Sequence, residues 1–379
     1  MIFNLFILYL IIVAVISFTG HKMNRLYYFN CIFIICLVGM RGYDIGSVDT
    51  INYVNYFLER QKSYHVDGSE VELGITLFNR LLRVFCVSGW QYLTIVAIIT
   101  LLPLFYLIKK YSFNIHLSIL FLFIVLGNII SVYFVCMRQV LGMAFFIWAI
   151  VIWLNKSKNY IIWYVLLLAI GCFFHSVIIL PGIIFLLLYY CPISRKVYVS
   201  IAIISFLLGI MRIFDNLLIF SFLFYSGGPL ERLAPYALIE LSDGSGGYLY
   251  TTFRTILCIM LCLTLSKYDF SHVFSKMFLV GVVLFNILPN FSEIYRLGAL
   301  FVVFGVIPIS KMAAMLFNKI DRKIYINSAL LPLRILFVAI ICYSYYNYYA
   351  TNMRLENKIE TSSATLIPYS FFWEDRYSF

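Results

Sequence analysis

Long apolar stretches recur along this chain and are separated mostly by short polar breaks. Each stretch is about 15–20 residues long, the length that a helix needs to cross a hydrocarbon core. The 379 residues are 63% hydrophobic and 12% charged, whereas a soluble domain is about half apolar and a quarter charged. The pattern predicts an all-α, polytopic membrane protein with a single transmembrane domain over residues 1–379. The twelve predicted spans are residues 2–19, 26–40, 90–108, 112–131, 138–154, 160–174, 176–190, 197–211, 252–266, 277–290, 297–317 and 331–349.

The positive charge of the chain indicates how these spans are oriented. The net charge is +11, and Lys and Arg cluster in every second loop between the predicted spans. Because Lys and Arg near span ends are retained on the cytoplasmic side, these loops face the cytoplasm and both termini face outward. The charge therefore reflects topology and does not predict nucleic-acid binding. The basic residues of these loops are Lys22, Arg25, Lys109, Lys110, Lys156, Lys158, Arg195, Lys196, Lys267, Lys276, Lys319, Arg322 and Lys323. The sizeable outer-face segments are residues 41–89, 212–251 and 350–379.

One segment, VELGITLFNRLLRVFCVS at residues 71–88, does not fit this scheme of spans. It carries Glu72, Arg80 and Arg83 within an apolar pattern. A single extra span here would reverse the orientation of every later loop. The segment therefore predicts a short amphipathic helix that lies at the outer membrane interface or re-enters the membrane from it.

Charged side chains at the ends of the spans are the strongest functional signal. Arg138, His175 and Arg296 each lie within an apolar run. An arginine at membrane depth costs roughly 2.5–3.5 kcal/mol even on the lenient insertion scale, so it is expected to face a polar cavity or a partner. The predicted topology gathers a charged set on the outer face, where paired arginines suit a pyrophosphate. This set is Arg41, Glu72, Arg138, His175, Arg232, Arg254, Glu293 and Arg296.

The first outer segment and the three residues within apolar runs also have purely structural interpretations. The sequence leaves both the structural and the functional interpretations open. The outer segment around Asp49 has the composition of a solvated loop. The Arg138 side chain is long enough to reach the lipid headgroups. His175, in a tight turn between two spans, also fits a hydrogen-bonded structural residue, because a single histidine is weak evidence for a functional site. Arg296 has the spacing to pair with Glu293 on a helix.

The order of several short motifs is more specific. R-x7-D-x3-Y begins at Arg41, E-x-G lies in VELGITLFNRLL, and RQ lies in CMRQVLGMAFF. A His follows in AIGCFFHSVIILP, Tyr295 and Arg296 precede a late span, and Pro368–Tyr369 lies near the C-terminus. In this order and spacing the chain resembles the EpsG family of polysaccharide polymerases, relatives of the Wzy-type O-antigen and exopolysaccharide polymerases.

The resemblance implies a GT-C-like polymerase architecture and a metal-independent glycosyl transfer that needs no cofactor. Donor and acceptor are undecaprenyl-pyrophosphate-linked oligosaccharide repeats of an O-antigen, capsule or exopolysaccharide, at the outer face of the bacterial inner membrane. A hydroxyl of one repeat attacks the anomeric carbon of the growing chain, and undecaprenyl pyrophosphate leaves. The expected partners are these lipid-linked sugars, membrane lipids and a chain-length regulator of the polysaccharide co-polymerase type, with no nucleic acid.

The resemblance also suggests roles for the candidate residues. Direct displacement inverts the anomeric carbon and is our default expectation, whereas a covalent route through a carboxylate retains its configuration. The residues implied to bind substrate are Arg41, Tyr53, Arg138, Arg232, Arg254, Tyr295 and Arg296. The candidates for the base that removes the acceptor proton, which the sequence does not rank, are Asp49, Glu72 and His175.

Three other functions remain open on the sequence. A lipid-dependent GT-C glycosyltransferase commonly carries a metal-binding acidic pair in its first outer loop, but Asp44 and Asp49 follow Arg41, which favours anion binding. An O-antigen ligase has a related architecture with a longer outer loop than residues 212–251. A flippase or transporter is expected to carry polar residues near the membrane midplane, whereas the charges of this chain gather at one end of the spans.

Overall fold

Helices form wherever the sequence predicts a membrane span. In the computed structural model, each of the twelve predicted spans contains a helix. The described residues add one short antiparallel pairing, between β1 (His65–Val66) and β2 (Ser69–Glu70). The residues that the structure describes are 2–17, 23–42, 48–58, 65–66, 69–70, 73–123, 132–133, 136–214, 248–266, 272–287, 292–317 and 330–355.

The described residues form α-helices, numbered in chain order, and two 3-10 turns. One 3-10 turn, Ser176–Ile178, precedes α9, and a second, Val303–Gly305, joins α13 to α14. The helices are α1 (Ile2–Ser17), α2 (Asn24–Gly39), α3 (Val48–Leu58), α4 (Leu73–Leu82), α5 (Gly89–Tyr111), α6 (Ile115–Phe123), α7 (Met137–Asn155), α8 (Tyr160–Phe174), α9 (Ile179–Tyr190), α10 (Arg195–Ile210), α11 (Tyr248–Thr264), α12 (Val273–Ile287), α13 (Ser292–Val302), α14 (Val306–Phe317) and α15 (Leu330–Leu355).

Three helices in the described part of the chain are long and apolar enough to cross a membrane. They are Gly89–Tyr111, Met137–Asn155 and Arg296–Phe317, of 23, 19 and 22 residues, and the described residues contain further apolar helices of 10–17 residues. Large apolar side chains such as Ile162 and Leu187 are exposed on the shorter helices, as expected for surfaces that face lipid. The all-α class is confirmed, while the number of crossings, the GT-C-like arrangement and the single transmembrane domain stay predictions.

The segment at residues 71–88 contains the short helix that the sequence predicts. Within α4, Gly74, Ile75, Asn79 and Leu82 are buried. The opposite side of the helix exposes three leucines at a spacing of four residues, which a membrane interface would cover. These are Leu73, Leu77 and Leu81.

The described residues cluster into two compact units, Met1–Phe185 with Tyr343–Phe379, and Leu186–Cys342. In the first unit, small residues let helices approach closely, as is common between helices in membranes. A Cβ atom added to Gly74 of α4 would lie 2.2 Å from the carbonyl oxygen of Phe173 in α8. A Cβ atom added to Gly142 of α7 would lie 3.0 Å from the carbonyl oxygen of Gly171, also in α8. The C-terminal end of α8 is therefore packed against both α4 and α7.

In the second unit, one buried amide joins three helices. Asn286 of α12 donates from Nδ2 to Oγ of Ser205 in α10 at 3.0 Å and to Oγ1 of Thr255 in α11 at 2.9 Å. A Cβ atom added to Gly209 of α10 would lie 1.9 Å from the carbonyl oxygen of Asn286. Hydrogen bonds between side chains therefore add to small-residue packing in fixing these helices.

Replacing Gly74 with alanine is expected to destabilise the first unit. The new Cβ atom would clash with the backbone of α8, which cannot relieve the clash by changing a side-chain rotamer. Gly182→Ala is the matched control, since it also adds a methyl group to a helical glycine but meets the side chain of Leu168, with Cδ1 at 2.6 Å. We expect Gly74→Ala to lower the free energy of unfolding by about 1–3 kcal/mol, and Gly182→Ala by less. Thermal unfolding of the purified full chain measures both, and equal losses would contradict the backbone clash.

Candidate functional site

The predicted site residues of the first unit lie around α3. Thr50, Tyr53, Val54 and Phe57 of this helix are buried, and their spacing places them on one face. Tyr53, Val54 and Phe57 belong to an apolar cluster that α3 shares with α4, α5, α7 and α8. The buried face of α3 therefore combines apolar packing with two hydroxyl groups, those of Thr50 and Tyr53.

Arg41 connects the end of α2 to the start of α3. Its side chain is 2% exposed. The guanidinium donates from Nη1 to the carbonyl oxygen of Val38 and from Nη2 to Oγ1 of Thr50 at 3.5 Å. Because arginine keeps its proton at any physiological pH, this contact brings a permanent positive charge to the N-terminal half of α3.

Arg138 approaches the same helix from a distant part of the sequence. It lies in the first turn of α7, and its Nε donates to Oη of Tyr53 at 2.6 Å across 85 residues of chain. The half-buried guanidinium therefore has the polar partner expected of an arginine at the end of a span. Since Thr50 and Tyr53 are three residues apart on one face of α3, Arg41 and Arg138 contact neighbouring positions of the same helix.

The residue that precedes His175 packs in the same apolar cluster as α3. The cluster includes Met137, which precedes Arg138, and Phe174, which precedes His175. Oη of Tyr92 lies 3.2 Å from Sδ of Met137 and ties α5 to the start of α7. His175 is half-buried between α8 and the following 3-10 turn, and its backbone N–H donates to the carbonyl oxygen of Gly171 at 3.0 Å. The residues that precede Arg138 and His175 therefore pack in one apolar cluster.

In the second unit, one aromatic ring packs between the helices that carry two further candidate arginines. The guanidinium carbon of Arg254 in α11 lies 4.0 Å from the centroid of the Phe285 ring, within the range of a cation–π interaction. The same ring packs on α13, because a Cβ atom added to Gly298 would lie 3.0 Å from Cε1 of Phe285. Gly298 is two residues from Arg296, which is half-buried. Phe285 therefore joins the helices that carry Arg254 and Arg296.

A comparison with protein families agrees with the motif order seen in the sequence. The EpsG family model matches residues 24–371. The chain belongs to the EpsG family. No curated protein and no solved structure matches the sequence. Membership of the EpsG family supports a polysaccharide-polymerase type of function, which is a glycosyl transfer, and with the apolar helices it supports a membrane location.

For four predicted site residues of this EpsG-family protein, the structure describes the backbone alone or nothing. Asp49 and Tyr295 lie on α3 and α13, and their side chains are outside the described residues. Glu72 and Arg232 lie wholly outside the described residues. The structure thus brings Arg41, Tyr53, Arg138 and His175 into one unit, and Arg254 and Arg296 into the other.

Arg83, to which the sequence analysis gave no role, holds the other end of α3. Its Nε donates to the carbonyl oxygen of Phe57 at 2.9 Å and its Nη2 to that of Tyr56 at 2.6 Å. These carbonyls belong to the last turn of α3, where a helix leaves its acceptors unsatisfied and favours positive charge. The sequence contained the charge but no signal for this contact, because the capped helix ends 25 residues earlier.

Two further polar groups of the same segment are buried. Asn79 is fully buried, and among the described residues neither its Nδ2 nor its Oδ1 has a hydrogen-bond partner. A buried amide without a hydrogen-bond partner is rare in folded proteins. We therefore add Asn79 to the candidate functional residues of the first unit. Burial raises the pKa of the Cys86 thiol, which disfavours a reactive thiolate there.

Replacing Arg83 with glutamine is expected to weaken the end of α3 while preserving most of the side-chain volume. The loss of two charged hydrogen bonds to buried carbonyls predicts a cost of about 1–3 kcal/mol in the free energy of unfolding. Arg80→Gln is the matched control, because Arg80 is an exposed arginine on the adjacent turn of α4. Thermal unfolding of the purified chain distinguishes them, and equal midpoints for the two variants would rule out the cap.

Proposed function

We propose that this EpsG-family protein joins undecaprenyl-pyrophosphate-linked oligosaccharide repeats into a polysaccharide, by glycosyl transfer at the outer face of the bacterial inner membrane. The observation that carries the proposal is the approach of Arg41 and Arg138 to one buried face of α3. Two permanently charged guanidinium groups on neighbouring positions of one helix suit a ligand with two adjacent phosphates. The donor lipid has this chemistry, and its reaction releases a pyrophosphate.

The arginines promote the reaction by stabilising the leaving group. As the bond between the anomeric carbon and the phosphate oxygen breaks, negative charge develops on undecaprenyl pyrophosphate. Preformed positive groups in apolar surroundings stabilise such charge more than the same groups in water do. Tyr53 fixes the orientation of the Arg138 guanidinium through its hydroxyl group, at 2.6 Å. Arg254 and Arg296 belong to the second unit, and they, with Arg232 and Tyr295, are the other residues implied to bind substrate.

The sugar transfer needs one proton acceptor. The oxygen of the acceptor hydroxyl forms a bond to the anomeric carbon, the bond to the pyrophosphate breaks, and the hydroxyl proton passes to a base. His175 suits this role because a ring nitrogen of imidazole can accept a proton and because Phe174, which precedes it, packs in the same apolar cluster as Met137, which precedes Arg138. Asp49, which precedes Thr50 on α3, and Glu72 are the other two candidates. A direct displacement of this kind inverts the anomeric carbon.

Arg138 of the first unit and Arg296 of the second unit provide the first test. Arg138→Ala and Arg296→Ala are each expected to lower polymer formation by about 100-fold or more, as loss of a group that stabilises the transition state does. Single lipid-linked repeats, made by earlier enzymes, should persist. Polysaccharide gels of a deletion strain that carries each variant measure chain length, with membrane abundance checked by immunoblot.

Arg80→Ala is the control for this experiment, because it removes an exposed arginine of the first unit that has no role in the proposal. It is expected to give full-length polymer. Full-length polymer from both Arg138→Ala and Arg296→Ala would overturn the pyrophosphate-binding role of these arginines. Loss of the single repeats as well as the polymer would instead indicate a flippase or an earlier transferase.

The base is tested by Asp49→Asn, Glu72→Gln and His175→Ala in the same strain. Loss of the base is expected to lower transfer by about 100- to 10,000-fold. Binding of the lipid-linked donor to the purified variant should remain, because the arginines stay in place. Normal polymer from all three variants would show that the base is another residue.

A further inference from the structure

An apolar groove lies in the first unit between α2, α5 and α7. Its volume is about 600 Å³, within the range of roughly 300–1,000 Å³ typical of ligand pockets. Buried side chains of Tyr27, Cys31 and Phe105 form part of its wall, and the more exposed Ile32 and Leu102 also line it. The groove therefore offers an apolar surface that is open along one side.

Two lysines lie at one end of this groove. Lys109 and Lys110 belong to the last turn of α5 and are among the lining residues. Nζ of Lys109 donates to Oη of Tyr28 and lies 4.3 Å from the centroid of that ring. Nζ of Lys110 donates to Oδ1 of Asn155. An ammonium group has three donors, so a lysine that donates one hydrogen bond to a neighbouring side chain keeps hydrogens for an anion. None of the described residues that line the groove is acidic.

The groove is remote from the candidate functional site. Arg138 lies in the first turn of α7 and Asn155 is its last residue, so the helix separates them by roughly 25 Å at a rise of about 1.5 Å per residue. The lysines also belong to a loop that the charge distribution assigns to the cytoplasmic side. We therefore expect the groove and the arginines that contact α3 to lie toward opposite faces of the membrane.

We propose that this groove binds an anionic phospholipid of the cytoplasmic leaflet, with the headgroup phosphate on Lys109 and Lys110 and an acyl chain along the apolar wall. Charge complementarity selects an anionic headgroup, and the open apolar wall selects a lipid over a soluble anion. Basic pockets between helices on the cytoplasmic side are suited to such headgroups. Because the ligand binds far from the arginines, the proposal does not depend on the polymerase reaction.

Binding is measured by native mass spectrometry of the purified full-length protein with phosphatidylglycerol or with phosphatidylcholine of the same acyl chains. The protein is expected to retain phosphatidylglycerol preferentially. Lys109→Gln combined with Lys110→Gln should weaken this binding by about tenfold or more. Leu102→Trp should weaken it to a similar extent, because the larger side chain fills the groove and leaves the charges unchanged.

Two matched controls keep the test specific. Lys156→Gln with Lys158→Gln removes the same number of charges from another predicted cytoplasmic loop, and Ile98→Trp adds the same side chain to an exposed position of α5 one turn earlier. Both are expected to bind phosphatidylglycerol normally. Equal retention of the two phospholipids, unchanged binding by either groove variant, or equal losses in the controls would overturn the proposal. Displacement of phosphatidylglycerol by an equal amount of undecaprenyl phosphate would also overturn it, since the occupant would then be a polyprenyl lipid.

Discussion

The energetic cost of a charged side chain in apolar surroundings is the constraint on which this structure depends. A protein with so few charges keeps an arginine at the end of a span only where partners satisfy it. In the first unit three such arginines contact or cap one short helix: Arg41 through Thr50, Arg138 through Tyr53, and Arg83 through the last carbonyls of α3. The helix and the charges therefore stabilise one another, and α3 becomes a fixed element on which a charged site is built.

Close helix packing explains how this element is held in place. Gly74 brings α4 against the end of α8, and Tyr56 of α3 donates to Oγ1 of Thr76 in α4 at 3.1 Å. The short amphipathic helix thus connects the helix that carries Tyr53 to the helix that precedes His175. Its exposed leucines face away from these contacts. A segment too short to cross the membrane therefore packs against helices from two other parts of the sequence.

The R-x7-D-x3-Y motif already grouped Arg41 with Tyr53. Apolar periodicity and charge placement were sufficient to predict the helices within the spans and the short α4, but not α3, whose segment has the composition of a solvated loop. They were not sufficient to pair Arg138 with Tyr53, because a hydrogen bond across 85 residues depends on how helices pack and not on local pattern. The capping role of Arg83 was missed for the same reason. The residues next to Arg83 in the sequence do not indicate that its side chain caps another helix. The groove was missed because its wall is made of ordinary apolar residues from three helices, which look like lipid-facing positions in the sequence.

Different cations lie at the two ends of α7: Arg138 in its first turn, and Lys110 of α5, which contacts Asn155, at its last residue. Near its start, the Arg138 guanidinium is planar and delocalised, which matches the oxygens of a pyrophosphate and keeps its charge in apolar surroundings. Near its end, Lys110 and the neighbouring Lys109 are compact, strongly hydrated charges that suit a phosphate exposed to the aqueous interface. Exchanging the two residue types would place hydrated ammonium groups in the more buried site. The placement of arginine at the start of α7 and of the α5 lysines beside its end therefore follows from the depth of the anion that each site is proposed to bind.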